Sequence, residues 1–333
     1  MVSEVISRTE ATFGVKAPHP VHIVPAGGLQ VAVYETAAEM GLASALAIAT
    51  EQCRLVAERG TASLQLMAAP SAFCFYEAYA ALARVSVELQ EAIHETHFFQ
   101  FDDYLLPGDH QASFRFLLTH HLFGPLSAWY DPGKVHPFEP DRGDPAEVCE
   151  AYARLLHAHG PDLMLKGQGE DGHWGFHQPG IPLDGEPRFI SVAMNEMNTA
   201  QQMHDHPTLF KRPEDVPTHA FTANVPLFMR TRVLIEDNVP QASKAYAVLA
   251  SYGTDAVDAC CPSSALKRHF SATARTTMAA AWALLEYRER GWLSAESMAR
   301  LDENWETPGN PAATAAKRHF MRESFDRLGI AHD

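Results

Sequence analysis

Short apolar runs alternate with helical patterns along most of this chain, and that alternation restricts its fold more than any other feature. Val21–Val24, Leu29–Tyr34, Ser63–Ala69, Thr96–Phe101 and Pro161–Leu165 read as strands bounded by turn residues. Between them, Thr36–Arg59, Phe73–Leu89, Ser113–Leu122 and Asp144–His159 read as helices; Gly60 stops the first and Asp144-Pro145 opens the last. Parallel strands need a crossover, and a helix is the compact way to make one. The pattern therefore predicts an α/β fold with a Rossmann-like, doubly wound parallel sheet.

The second half repeats the theme less regularly. Phe189–Val192, Ala220–Asn224 and Leu227–Ile235 read as strands and Ser243–Tyr252 as a helix. Long helical patterns, Ala272–Arg290, Ala295–Trp305 and Ala312–Leu328, close the chain, the last two separated by the loop Glu306-Thr-Pro-Gly-Asn-Pro311. Residues 1–20 are polar and proline-containing and read as a loose arm. The expected organisation is an arm over 1–20, an α/β domain over 21–290 and a C-terminal helical extension over 291–333.

Bulk chemistry narrows the partners. With 26 Lys and Arg against 41 Asp and Glu, the formal charge of −15 argues against nucleic acid or an anionic membrane, both of which need basic surface. A small anion needs only one local positive site. The N-terminus carries acids and no apolar core, so no signal peptide is expected. No apolar run approaches the ~20 residues that span a bilayer. Five cysteines without CxxC spacing fit reduced packing thiols in a cytoplasmic protein.

The richest stretch is Lys166-Gly-Gln-Gly-Glu-Asp-Gly-His-Trp-Gly-Phe-His-Gln-Pro-Gly180, which follows the apolar run Leu163-Met-Leu165. It contains the spacing G-x-G-x-x-G at Gly167, Gly169 and Gly172. A dinucleotide site also needs a long helix beginning at the third glycine. Pro179, Gly180 and Pro182 forbid that helix, and Glu170-Asp171 repels a pyrophosphate. No nicotinamide or other cofactor is expected. By spacing alone His173 and His177 could share a metal ion, but that reading is set aside, and His120-His121 and the other histidines are read as surface or core residues.

Gly167-Gln-Gly-Glu-Asp171-Gly-His173-Trp-Gly-Phe176-His-Gln178-Pro179 resembles the active-site loop G-x-G-x-D-G-H-x-A-F-N-E-P of the glucosamine-6-phosphate deaminase and 6-phosphogluconolactonase superfamily. Gln100-Phe-Asp102-Asp103-Tyr104-Leu-Leu-Pro, with His110 and Ser113-Phe114 after it, is similar to the deaminase segment N-M-D-E-Y-x-x-L-P…H…S-Y. Val216-Pro217, Ser243-Lys244-Ala245 and Pro262-Ser-Ser264 are softer matches, in the family's order. The resemblance runs from about residue 20 to 290 and identifies a divergent member of that superfamily, with the fold of the sugar-phosphate isomerases.

The resemblance implies roles. Asp102 would shuttle the C1/C2 proton of an open-chain sugar, as a desolvated carboxylate can. His173, its tautomer set by Asp171, would act at the ring oxygen, with Gln178 also in the catalytic set. Ser71, Asp103, Gly167, Gly169 and Lys244 would contact the substrate. In lactonases the matching histidine instead activates water against a lactone carbonyl.

Two departures stand out. The family's phosphate loop reads L-G-L-P-T-G-G-T-P-x-x-x-Y; here the stretch is Leu64-Gln-Leu66-Met-Ala68-Ala69-Pro70-Ser71-Ala-Phe-Cys-Phe-Tyr76, without either glycine of the G-G pair. Pro70 has no N–H and a fixed φ, which damages an anion nest, and Lys244 is left as the remaining cation. The arginine that the family places before its V-P motif has no match in Gln201-Gln-Met-His-Asp-His206. The second departure is Gln178, which stands where deaminases have glutamate and cannot carry a proton. The expected activity is aldose–ketose isomerisation, with or without deamination, of an amino sugar or sugar phosphate by an oligomer. The alternatives are a lactonase-type hydrolase and a non-catalytic sugar-binding relative.

Overall fold

The computed structural model describes residues 13–305 and 310–333. Residues 1–12 of the expected arm and 306–309 of the expected loop lie outside the described residues. The strands are β1 (His22–Ala26), β2 (Leu29–Tyr34), β3 (Ala62–Leu66), β4 (Thr96–Gln100), β5 (Asp102–Tyr104), β6 (Val135–His136), β7 (Leu163–Lys166), β8 (Phe189–Ala193), β9 (His219–Ala223), β10 (Leu234–Val239) and β11 (Ala272–Thr277). Eight form one sheet in the order β1-β2-β11-β10-β7-β3-β4-β6. All neighbours in it pair in parallel except the β1–β2 hairpin at one edge. The doubly wound α/β expectation holds.

Local chemistry explains the first crossover. Thr36 caps the helix Ala37–Arg59 through a reciprocal capping box with Glu39, and Gly60 closes it at φ 77°. The central strands β3 and β7 are buried at every residue, as strands covered on both faces must be. Buried Asp162 joins them at their start: its carboxylate receives Ser63 N–H at 2.9 Å and pairs with Arg59 and Arg232.

Three readings are corrected. Ala272–Arg290 is not one helix: its first six residues are β11, between β2 and β10 in the sheet, and the helix starts at Met278. The run Ala-Thr-Ala-Arg-Thr-Thr suits a strand because Thr is stiff at χ1, and Arg275 reaches the buried Glu236 of β10 and the Tyr34 hydroxyl at 2.7 Å. Phe73–Leu89 breaks at Ser86, which ends one helix and caps the next. Leu227–Ile235 holds the end of the short helix Val225–Phe228, and β10 begins only at Leu234.

The chain leaves the large sheet at Phe101 and enters a second, antiparallel sheet, β5-β9-β8. Phe101 C=O accepts Ala223 N–H at 2.8 Å at that crossing. Phe13 and Ala17 of the expected arm, and Leu301, Met321, Phe325 and Leu328 of the C-terminal helices, belong to the same buried cluster as the sheet. Among the described residues no helix is long and apolar enough to cross a membrane. All five cysteines are free.

Candidate active site

The loops after β3, β4, β7 and β10 converge beyond the carboxyl ends of those strands. From β3 the chain continues to β4 on one side, whereas from β7 it continues to β10 on the other, so the space between β3 and β7 is a topological switch point, where such sheets bind ligands. A pocket of about 550 Å³, solvent mouth included, opens there. Asp102, His173, Gly167, Gly169, Ser71 and Lys244 all line it.

The glycine-rich loop positions the histidine. Asp171 Oδ1 accepts the backbone N–H of His173 at 3.0 Å and lies 2.6 Å from its Nδ1. Asn198 Nδ2 donates to the other oxygen at 3.4 Å. Burial pushes the Asp171 carboxyl up, but the imidazole and these hydrogen bonds outweigh it and hold the group below its usual value. An ionised Asp171 fixes the proton on Nδ1, so Nε2 is the acceptor left for substrate or water. Gly169 makes room for the ring: a Cβ there would lie 1.9 Å from His173 Cε1. Beneath the loop, Lys166 sits 3.0 Å from Asp237, which also receives Gln168 Nε2 at 2.6 Å and the Tyr252 hydroxyl.

Asp102 faces the same space from β5. It is 3% exposed, and its Oδ1 has no hydrogen-bond partner among the described residues. Burial first, and the charge of Asp103 second, push its carboxyl well above the usual carboxylate range. Gly175, at φ 59°, lets the loop approach: a Cβ there would stand 2.7 Å from Thr222 Oγ1 and 3.2 Å from Asp102 Oδ2.

Three expected site residues are not in the pocket lining; Asp171 reaches it only through His173, and the other two turn away. Asp103 turns into the protein, where its carboxylate accepts Tyr104 N–H at 2.8 Å, Phe114 N–H at 2.9 Å, Ser113 Oγ at 3.0 Å and Arg115 Nε at 3.0 Å. It anchors the segment rather than the substrate. Gln178 is buried and donates to Ala193 C=O at 3.1 Å. His177 is also occupied, receiving Val225 N–H on Nδ1 at 3.1 Å and bonding Ile181 C=O through Nε2 at 3.2 Å, so it forms no ligand pair with His173.

At the opposite end of the pocket, Pro70 opens a turn at Pro70–Ala72 and Lys244 Nζ donates to Ser71 Oγ at 2.8 Å. Burial pushes the Lys244 ammonium down, while Asp205 first and then Glu170, Asp237 and Asp171 support its charge. Gln201, Gln202, Asp205 and His206 complete this wall. They come from the helix Glu196–Asp205 and its C-cap. In the sequence this segment is marked only by its missing arginine. Its Gln-Gln-x-x-Asp-His spacing, which puts side chains three and four apart on one helical face, was the available signal.

The sequence profile described as glucosamine-6-phosphate isomerases/6-phosphogluconolactonase matches residues 35–200. A glucosamine-6-phosphate deaminase of Bacillus thuringiensis (strain Al Hakam) is 28% identical over 175 residues, which cover 52% of this chain and 62% of the relative. The chain belongs to the glucosamine-6-phosphate isomerase/6-phosphogluconolactonase superfamily. Solved structures of the superfamily share the fold. A monomeric glucosamine-6-phosphate deaminase aligns with a TM-score of 0.63 at 23% identity, covering 76% of this chain and 99% of that one. The 6-phosphogluconolactonase of Trypanosoma brucei aligns at 0.58 and 19% identity, covering 78% and 99%. The aligned stretch spans less than two thirds of the curated relative's length, and the unmatched part of this chain includes the C-terminal helices.

Proposed function

We propose that this superfamily member isomerises an amino sugar or related sugar lacking a phosphate, with loss of ammonia when the C2 substituent is an amine. One observation carries the reading: a buried carboxyl without a partner oxygen contact, Asp102, shares a pocket with the aspartate-oriented imidazole of His173. The chemistry needs one group at carbon and one at oxygen. His173 Nε2 exchanges a proton with the ring oxygen and opens the sugar. Asp102 takes the C2 proton and delivers it to C1, which converts a 2-amino aldose into a ketose C2 imine. One water hydrolyses that imine to the ketose and ammonia. A carboxyl whose pKa is raised toward the working pH both accepts and returns a proton efficiently.

The substrate preference rests on charge. Burial pushes the Lys244 ammonium down, its Nζ is bound to Ser71, the acids Asp205 and Glu170 already face it, and Pro70 offers no N–H, so a dianionic phosphate would enter a site with little positive charge to spare. A neutral or cationic sugar meets Asp102 and Asp205 without that penalty.

A second reading is supported by Gln178, whose amide carries no titratable proton and is spent on Ala193: Asp171–His173 alone suffices to activate water against a lactone. Glucosamine, glucosamine 6-phosphate and 6-phosphogluconolactone, each incubated with the chain, separate the cases. Ammonia and ketose from glucosamine, faster than from its phosphate, is the expected result. Lactone hydrolysis exceeding both replaces it with the second reading, and binding without turnover leaves a sugar-binding relative.

A further inference from the structure

We propose that His97, His136 and His159 form a binding site for one divalent transition-metal cation of the zinc type, at the end of the sheet remote from the pocket. The three come from different elements. His97 stands near the start of β4, whereas the pocket opens beyond that strand's far end. His136 ends the edge strand β6, and His159 is the last residue of the helix Pro145–His159. Parallel pairing of β4 with β6, Phe98 opposite Val135 and Phe99 opposite His136, brings the first two side by side. Helix length brings the third back to them, and Gly160 ends the helix immediately after it.

Each ring offers one nitrogen, and the three lie within 4.8 Å of one another. His97 Nδ1 and His136 Nε2 are 2.9 Å apart. Histidines packed only face to face direct their nitrogens away from each other; here the nitrogens converge. Without a cation, one N–H···N bond joins His97 and His136, and among the described residues no such donor meets the His159 nitrogen that faces them. One tetrahedral ion, with ligand nitrogens about 2.0–2.1 Å from it, satisfies all three after shifts of about an ångström and keeps a fourth position for water.

The surroundings hold the rings in place. Phe99 stacks on His136 with centroids 4.6 Å apart, and the Tyr152 hydroxyl donates to the His136 carbonyl at 2.6 Å. The acids near the site are already engaged: Glu95 takes Lys134 Nζ at 2.5 Å, Asp162 takes Arg59 and Arg232, and Asp131 accepts Gly133 N–H at 2.8 Å. The donor set is therefore all imidazole, which selects zinc, nickel, cobalt or copper and rejects the oxygen-seeking magnesium and calcium. Bound there, the ion would tie the edge strand β6 to β4 and to the helix end.

The test uses the full chain without a histidine tag, stripped with EDTA and titrated with ZnCl₂ by calorimetry, with CoCl₂ as a spectroscopic probe and MgCl₂ as a control. One equivalent of zinc should bind, raise Tm, and give cobalt the visible bands of a low-coordinate site; magnesium should do neither. His136→Ala and His159→Gln should each weaken zinc binding by on the order of 100-fold or more. His121→Ala, at a histidine stacked on Phe73 elsewhere, should leave it unchanged. His159→Gln, at a helix end, guards against misfolding, judged by an unchanged Tm in EDTA. Equal zinc affinity in wild type and a folded His159→Gln, or no saturable zinc binding by the wild type at 100 Kd-scale excess for a ~10 µM site, overturns the proposal.

Discussion

The two ends of the pocket are built differently. At one end Asp171 and His173 form a short, oriented pair on a loop whose glycines make room for the ring, and Asp102 faces it as a buried carboxyl. At the other end the turn Pro70–Ala72 has no backbone donor at Pro70, and its cation Lys244 is buried and already faces Asp205 and Glu170. On the function proposed above, the proton-handling groups lie in a low-dielectric setting and the anion-holding end is weak. Reaction chemistry and substrate charge would then be separable properties of one site, because they sit on loops that follow different strands.

The sharpest way to break that contrast is Asp102→Asn. Turnover should fall by about 100- to 10,000-fold, read as initial rates on glucosamine. Tm should rise at neutral pH by a few degrees, since the amide removes a buried carboxyl whose ionised form lacks compensation. The sign follows from the raised folded value: the protonated form is the one the fold prefers, so the stability contribution is present at low pH and is lost as pH rises through that value. Turnover has the opposite dependence, because the base must be ionised, and should fall as pH drops through it. If the variant keeps wild-type rates, Asp102 is not the proton carrier.

Next in size is the His173 pair. Asp171→Asn should reduce turnover by about 100-fold or more by releasing the tautomer, while His173→Gln should show a similar loss with its fold retained by circular dichroism. A pH profile for Asp171→Asn that matches the wild type would assign the aspartate a purely structural part.

The anion end offers a gain rather than a loss. Ala69→Gly combined with Pro70→Gly restores a donor and backbone freedom, and should tighten inorganic phosphate by about tenfold, roughly 1.4 kcal/mol, in a calorimetric titration. Unchanged binding would place the obstacle in Asp205 and Glu170 instead. Smallest in its effect on turnover is Lys317→Ala. Its ammonium lies 3.7 Å from Glu170 Oε2, linking the C-terminal helix to the site loop, and because both partners are buried its loss should cost on the order of 3 kcal/mol in chemical denaturation with little effect on turnover.

Much of this was legible in the chain. Thr36 with Glu39, Gly60 and Asp144-Pro145 mark helix ends by local hydrogen-bond chemistry, which needs no tertiary context. The two acidic segments stood out because their composition is wrong for a core. The strand β11 was misread because Ala272–Thr277 carries no apolar signal; it is a strand because Arg275 finds Glu236 and Tyr34, residues distant along the chain. Asp103 and Gln178 were assigned to substrate or catalysis because a sequence shows residue type but not direction. In space Asp103 meets five donors, and Gln178 meets Ala193.

By itself, then, the sequence determined the α/β layering through its periodicity and the missing N–H at Pro70 through covalent chemistry, while its resemblance to the superfamily's loop motifs implied the pairing of Asp171 with His173. Only the tertiary structure decided that Asp102 is buried beside Gly175, that Lys244 is buried and bound to Ser71, and that three histidines from two strands and a helix converge, since solvation and charge belong to the neighbours that folding supplies.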